Sequence, residues 1–503
     1  MLSNLSFIGG SINGLDRTKL GIFTVVSAVA AAAAISGHPF APIFEDTVHL
    51  RAGFRVAFAG VFLISLLRSR GAFPIIYGHD VLARRGQTLR WSFDLQILAT
   101  VALLIGFLTE IAALALIVLR GYFAVRTKRW GLENNIYQTT LVVLPFLGLG
   151  EAYAIDRLLG VPEVLASPVM FNAQFVLYAV MMASGGYHKM TNDMWRRGMG
   201  VKRFIEAPHL QTPVIGRLAS RTAPLPLLIG SNYLTVAGEF FLLFGIFNQY
   251  ILFGSLAVLL VFSISAFSLV DLSFIGETLL VVFLLYALAL AGHFSLFPPA
   301  TAMLDPTLTL FSVLAFVLTC LSLVQTFWPE LGGRPLVRFP ATVFTGMNTP
   351  IKPFNEHHLI GVYTFQIQDG ESPGKSLLPI FDDEGRPGPL QRFYPRYYQA
   401  SMYEVTDYCL GLLDGDVNPG KRSSVEDLCV TALELNGRSE DKVVVTVKLL
   451  DVREPEQYLE NEWVPICDCR VSASGVDVEP REQPPVPEET YRAQLSEEFR
   501  RAK

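Results

Sequence analysis

The sequence predicts an α-helical polytopic membrane protein of about nine transmembrane helices, followed by a C-terminal β-rich soluble domain. Three observations predict it. Of the 503 residues, 51% are hydrophobic and 17% are charged, with mean hydropathy +0.40, which is too apolar for an ordinary soluble enzyme. Charge is unevenly placed: residues 331 to 503 hold 47 charged side chains with net −9, whereas residues 1 to 330 hold 38 with net +4. Long apolar stretches fill the first region, and short β-branched runs separated by turns fill the second. Together these exclude a disordered chain, a disulfide-dense mini-protein and a general nucleic-acid binder. Three regions follow: a helical membrane domain over 1–330, a β-rich domain over 331–475 and a tail over 476–503 rich in proline and charge.

Crossing a hydrocarbon core takes about 20 apolar helical residues, at roughly 1.5 Å of rise each. Nine stretches are expected to do so: 20–37, 52–67, 95–119, 138–155, 171–187, 224–247, 251–270, 273–293 and 308–328. The first is read as a retained helix, since no convincing cleavage site follows it. Ionisable residues in such stretches are costly, so Arg55, Glu110, Glu239, Asp271 and Glu277 are candidates either for function or for buried pairing. Glu239, within Val236-Ala237-Gly238-Glu239-Phe240, lies deepest by sequence.

The end of the fifth stretch carries the most chemistry. It reads Ser184-Gly185-Gly186-Tyr187-His188-Lys189-Met190, followed by Asn192, Asp193, Trp195 and Gly198. Paired glycines let backbones approach closely, and a tryptophan anchors at a membrane interface. Burial disfavours the charged form of an amine, so a lysine here is a candidate general base. The competing expectation is a lysine that snorkels to the headgroups. From Thr191 to Arg221, Met194, Trp195, Met199, Val201, Phe204 and Ile205 alternate with Arg196, Arg197, Lys202 and Arg203, the mixture of an interfacial amphipathic segment.

The pattern small-Gly-x-x-Lys-hydrophobic followed by Trp and Gly resembles the lysine-bearing segment of the vitamin K-dependent gamma-carboxylase family. It also resembles that family's bacterial relatives with the horizontally transferred transmembrane domain (HTTM). Arg90-Trp91 leading to Leu104-Ile105-Gly106-Phe107-Leu108-Thr109 is similar to the family's third-helix pattern. Asn134-Asn135 is similar to its asparagine pair, and Gly238-Glu239 and Phe274-Ile275-Gly276 to later landmarks. The likeness covers roughly residues 18 to 295, and the order of the motifs is more specific than any one of them. It implies a multi-pass protein of the bacterial inner membrane in which Lys189 deprotonates a reduced, vitamin K-like quinone. Oxygen would then convert the quinol to an epoxide, and the strong base so formed would prepare a glutamate for carboxylation. Lys189 and His188 are the implied catalytic residues, and Asn134, Asn135, Trp195 and Glu239 the implied quinone-binding ones; no metal is implied.

The sequence also departs from the family. Ile136 stands where a histidine follows the asparagine pair, and the neighbourhood of Ala266-Phe267-Ser268 offers no imidazole. Either His188 substitutes, or the fold persists without carboxylation. The second function carried forward is a non-catalytic membrane scaffold or assembly subunit that docks a partner through its C-terminal domain. A transporter ranks third, because no inverted repeat is visible. Expected partners are membrane lipid and a protein partner or acidic peptide, and no nucleic acid.

In the second region, Leu359 to Gln368, Lys442 to Leu449 and Trp463 to Val471 read as strands, with Asp369-Gly370, Asp414-Gly415 and Asn436-Gly437 as turn signals. A β-rich domain over about 345–475 is expected, with a sandwich as one form open to it. Asp414, Asp416 and Asn418 have the spacing of calcium ligands, but Pro419 and Val425 replace the required glycine and glutamate, which favours a turn. Cys409, Cys429, Cys467 and Cys469 form no C-x-x-C pair, so zinc is not expected. In an oxidising compartment Cys409 or Cys429 would bond one member of the C-x-C pair; otherwise all four are thiols. Cys320 is read as packing.

Overall fold

The computed structural model describes residues 48–71, 86–127, 132–161, 168–206, 211–212, 214–246, 248–270, 275–292, 364–372, 374–378, 408, 412, 419–448 and 463–481. Its helical part runs α1 (Val48–Gly71), α2 (Gly86–Ile105), α3 (Thr109–Thr127), α4 (Leu132–Val143), the short α5 (Ile155–Leu158), α6 (Pro168–Thr191), α7 (Asp193–Arg196), α8 (Gly200–Glu206), α9 (Ile215–Thr222), α10 (Leu225–Phe241), α11 (Gln249–Ser268) and α12 (Ile275–Gly292).

Nine spanning helices are not what forms. Among the described residues two helices are long and apolar enough to cross a membrane, Arg51–Arg70 within α1 and Tyr250–Ser268 within α11. By length and composition they point to membrane association. The expected stretch 95–119 is instead a hairpin of α2 and α3. Gly106 ends α2 at φ +68, donating to Leu103 O while Phe107 N bonds Ala102 O. This is a left-handed glycine stop that no periodicity count detects. The stretch 138–155 also breaks: α4 is about 18 Å long, and a 3-10 turn at Leu144–Phe146, containing Pro145, follows it. Helix α10 has only 17 residues, and a 3-10 turn at Phe244–Ile246 succeeds it. The 273–293 stretch contains α12, counted among the described residues as a shorter apolar helix over Ile275–Ala287. The stretches 20–37 and 308–328 lie outside the described residues.

The helices pack through aromatic and small side chains. Phe58 and Phe62 of α1 lie against Tyr137 of α4, with ring centroids 6.0 and 4.6 Å apart. The Arg120 guanidinium of α3 sits 4.8 Å from the Phe62 ring and 5.4 Å from that of Tyr137. Phe175 of α6 meets Tyr286 of α12 edge-on at 5.1 Å.

Arg55, a candidate intramembrane charge, has a structural role here. Fully buried, it donates to Leu149 O and Tyr153 O, each at 2.5 Å. Arg51, one turn earlier, donates to Leu147 O and pairs with Glu151 at 2.6 Å. These two arginines lash the segment after α4 to α1. Asp156 ties the same segment to the α2–α3 turn, its carboxylate accepting from Leu108 N, Thr109 N and Thr109 Oγ1. A carboxylate at the first amides of α3 also suits the helix dipole. Glu110 and Glu277 lie in the first turns of α3 and α12, and Asp271 lies outside the described residues.

The second region contains β1 (Thr364–Asp369), α13 (Pro419–Leu435), β2 (Asp441–Lys448), β3 (Val464–Ser472) and β4 (Gly475–Pro480). The strands form one antiparallel sheet in the order β1-β2-β3-β4. Among the described residues this is the one sheet, with α13 packed on it, and no second layer of strands faces it. Val443, Val445 and Val447 of β2 point to the covered side, together with Cys467 and Cys469 of β3 and Val425, Cys429 and Ala432 of α13, all buried. The helix was missed because its polar residues interrupt the apolar spacing. Asn436-Gly437 is its C-terminal stop, with Gly437 at φ +71, Gly437 N on Glu434 O and Arg438 N on Leu433 O. Asp369-Gly370 is a true turn, in which Asp369 Oδ1 accepts from Glu371 N. Asp414-Gly415 and the Asp414, Asp416, Asn418 spacing lie outside the described residues.

Candidate functional site

The site begins with how α6 ends. Asn192 N donates to Lys189 O, and Asn192 Oδ1 accepts from Met194 N at 3.0 Å and Trp195 N at 3.4 Å, the hydrogen bonding of an N-cap for α7. The chain therefore doubles back within one turn. That reversal carries the buried Trp195 ring over Lys189, 4.9 Å from Nζ. Asn232 of α10 fixes the reversal, donating to Trp195 O at 2.9 Å and accepting from Val201 N at 3.3 Å.

Gly186 brings the opposite wall close. A Cβ at that position would stand 3.2 Å from Phe240 N, 3.3 Å from Glu239 Cβ and 3.3 Å from Val236 O. Only a bare backbone lets α6 approach α10 this closely. Glu239 consequently meets Lys189: Nζ and Oε1 form a direct ion pair with both residues buried, Lys189 at 1% and Glu239 at 4% exposure. The Phe262 ring of α11 lies 5.5 Å from Nζ on another side. A lysine at the water boundary is thereby replaced by one enclosed between aromatic faces and a carboxylate.

Lys189 and Trp195, close in the chain, are thus brought together with Glu239, 50 residues further on. His188 leaves α6 about 100° around the helix from Lys189, and its half-buried ring packs edge-on against Tyr187 at 5.5 Å. Asn134 and Asn135 fall in the first turn of α4, and their side chains are outside the described residues. Ile136, which follows them, is buried in the core. Phe262 and Asn232 were not identified from the sequence; nothing in an apolar helix marks which aromatic will face an amine. Asn192 had a usable signal, a capping residue just before Asp193.

Two oxygens define what the enclosure can do. Glu239 Oε2 is buried and has no hydrogen-bond partner among the described residues, as is true of Ser184 Oγ. A buried carboxylate oxygen with no donor is costly, and a hydroxyl or other donor delivered there would satisfy it. The aromatic walls favour a flat partner. Among the described residues no group of three His, Cys, Asp or Glu side chains could hold a metal ion. In the second region, Cys429 of α13 and Cys467 and Cys469 of β3 are all thiols and all buried, with Cys467 Sγ 4.0 Å from Cys469 Sγ; Cys409 and Cys320 lie outside the described residues. No family model, curated protein or solved structure matches the chain.

Proposed function

We propose that the chain is a protein of the bacterial inner membrane, embedded by more than one pass, that binds a reduced quinone at the Lys189–Glu239 pair and takes a proton from it. The observation that carries this reading is the unpartnered Glu239 Oε2, buried beside an amine and between aromatic rings. Large apolar residues on the outer surfaces of several helices support the membrane part: Leu98 of α2, Ile111 and Val118 of α3, Leu234 of α10, and Val261 and Phe267 of α11 are all exposed. Such a surface calls for lipid or a partner to cover it.

A reduced quinone, when bound, supplies an acidic hydroxyl on a flat ring. Glu239 Oε2 would accept the hydrogen bond from that hydroxyl, while Lys189 holds Oε1 and keeps the carboxylate oriented. In this reading Lys189 is the base that would take the hydroxyl proton, and Glu239 is the carboxylate that would hold the hydroxyl beside it. Trp195 and Phe262, which lie over Nζ, would flank the ring. Resemblance to the gamma-carboxylase family adds oxygenase or carboxylase chemistry as the reaction class, with oxygen and carbon dioxide as co-reactants.

A second reading is favoured by Ile136. An apolar, buried side chain stands where the family has a proton-transferring histidine, which fits a membrane scaffold that keeps the helical architecture and docks a partner through residues 331 to 503.

The test uses the purified full chain in detergent with a reduced naphthoquinone. Binding is read by quenching of tryptophan fluorescence, and turnover by chromatography of the quinone epoxide. Saturable quenching that Glu239→Gln weakens at least tenfold supports the site. Quenching that is absent, or equal in wild type, Lys189→Met and Glu239→Gln, eliminates it. Binding without epoxide limits the protein to quinol capture and supports the scaffold reading.

A further inference from the structure

Helix α9 is held at one end of α11 in a way that fixes its depth. Thr212 Oγ1 donates to Ser268 O at 2.8 Å and accepts from Gly216 N at 2.8 Å, while Thr212 N donates to Leu269 O at 3.1 Å. A Cβ on Gly216 would lie 2.2 Å from Leu269 O, so α9 rests its glycine directly on the backbone where α11 finishes. Gln211 reinforces the junction through a bridge to Val270 and a hydrogen bond to Ile205 O at 2.9 Å. Among the described residues, helix α11 is one of the two long and apolar enough to cross a membrane. Its 20 residues span about 30 Å, the thickness of the hydrocarbon core. The end of such a helix lies at the headgroup level, and α9 with it.

The outward side of α9 is apolar. At about 100° per residue, the side opposite Gly216 is centred on Val214 and Leu218, which are 74% and 61% exposed, with Ile215 beside them at 54%. Arg217 and Arg221 run along one edge of this stripe. The neighbouring α7–α8 segment adds Arg196, Arg197, Lys202 and Arg203, so residues 191 to 222 carry six basic side chains against Asp193 and Glu206. Apolar residues facing outward at headgroup depth, edged by cations, form the surface of a helix lying in a membrane interface. Cations concentrated there select the sign of the lipid.

We propose that α9 is an in-plane surface helix that recognises anionic phospholipid headgroups through Arg217 and Arg221 while Val214, Ile215 and Leu218 enter the acyl boundary. It rests on the membrane reading above and is independent of the Lys189 site. The occupant is a lipid surface because the charge is complementary to an anionic leaflet and the depth is set by α11.

The test places the full chain in nanodiscs of phosphatidylcholine with or without phosphatidylglycerol and follows amide hydrogen exchange of residues 214–222. Two arginines at an anionic surface should slow exchange roughly thirtyfold when phosphatidylglycerol is present. The double variant Arg217→Glu, Arg221→Glu should lose that difference, with exchange of residues 249–268 in α11 unchanged as the control for folding. Leu218→Asp should raise exchange in both kinds of disc. Equal exchange of 214–222 in the two lipid compositions overturns the proposal. Recovery of the chain as a detergent-free soluble protein that enters neither disc overturns the proposal and the membrane reading together.

Discussion

Lys189 and Glu239, 50 residues apart and on different helices, form an ion pair that is closed to solvent on both sides. Neither side chain alone suits a buried position, so each is there because of the other. Removing one leaves an uncompensated charge. Lys189→Met or Glu239→Leu alone should therefore cost about 3–5 kcal/mol, whereas the double apolar variant should recover much of that loss. Unfolding in mixed micelles, followed by loss of helical circular dichroism, measures all three. Single losses below about 1 kcal/mol would place the pair in the solvated class.

Gly186 sets the distance at which that pair can form. Its replacement by alanine would press a methyl group on Phe240 N and Val236 O, backbone atoms that cannot swing aside. Gly186→Ala should cost about 1–3 kcal/mol and, under the proposed function, weaken quinone binding with the same sign as Glu239→Gln. Gly230→Ala is the comparison, because a Cβ there meets nothing within 4 Å. It should be neutral or stabilising by up to about 1 kcal/mol, since alanine has the higher helix propensity, and a loss as large as that of Gly186→Ala would show that the effect is not close approach.

Asp156 anchors the other polar network. It accepts three hydrogen bonds, at 2.6 to 2.8 Å, from the start of α3, while Leu108 and Tyr153 hold left-handed backbone angles of +46° and +49°. Those angles are unfavourable for residues with side chains and persist only where surrounding bonds enforce them. Asp156→Ala should speed amide exchange at Leu108 and Thr109 roughly a hundredfold, the equivalent of losing one or two hydrogen bonds to a charged acceptor. Asp156→Asn should fall between. Unchanged exchange would mean that the turn is fixed by packing alone.

Sequence reading located Lys189, Trp195 and Glu239 because each breaks a local rule: a cation, an interfacial aromatic and an acid within apolar stretches. It could not show that they meet, since the encounter depends on Gly186 docking against α10 and on the Asn192 cap reversing the chain. Helix number was misjudged for a related reason. Hydropathy sees the apolar run from 95 to 119 as continuous, whereas Gly106 turns it back on itself. Strands β1 to β3 were legible from their alternation. Helix α13 was not, because Arg422 and Glu426 interrupt its apolar spacing, and burial of Val425, Cys429 and Ala432 against the sheet decides its conformation.

The three described thiols offer a check on the sheet. Contact with Cys469, together with burial, pushes the Cys467 thiol well above the usual thiol range, so little thiolate is available at neutral pH. Cys429, Cys467 and Cys469 should resist alkylation in the native protein and react together once the sheet opens in urea. Peptide mass spectrometry after pulsed alkylation distinguishes them from Cys409 and Cys320. Rapid labelling of Cys467 in native buffer would contradict its place beneath α13.

Asp369 and Arg438 make the sheet acid-sensitive, and the sign follows from their contact. Arg438 donates to Asp369 Oδ2 at 2.8 Å, and this bond, helped by the Glu371 amide, holds the Asp369 carboxyl below the ordinary aspartate range. For Asp468, burial pushes upward, but the Arg481 hydrogen bonds and charge, with Lys442, outweigh it and leave that carboxyl lowered as well. A carboxylate lowered in the folded state contributes fully above its unfolded value of about 3.9 and loses the contribution as pH falls through the folded value. At fixed urea, labelling of Cys467 and Cys469 by a dithiodipyridine, which reacts with thiols in acid, should stay level from about pH 7 to 5 and accelerate below about pH 4. Arg438→Met should remove a large part of that acceleration, because Asp369 then titrates near its unfolded value. Arg481→Met should do the same through Asp468, and the two effects should add, since their carboxylates belong to separate ion pairs. A labelling rate that instead rises between pH 4 and 7 would mean that the dominant titrating group is one whose folded value is raised, and neither arginine would then govern the acid limb.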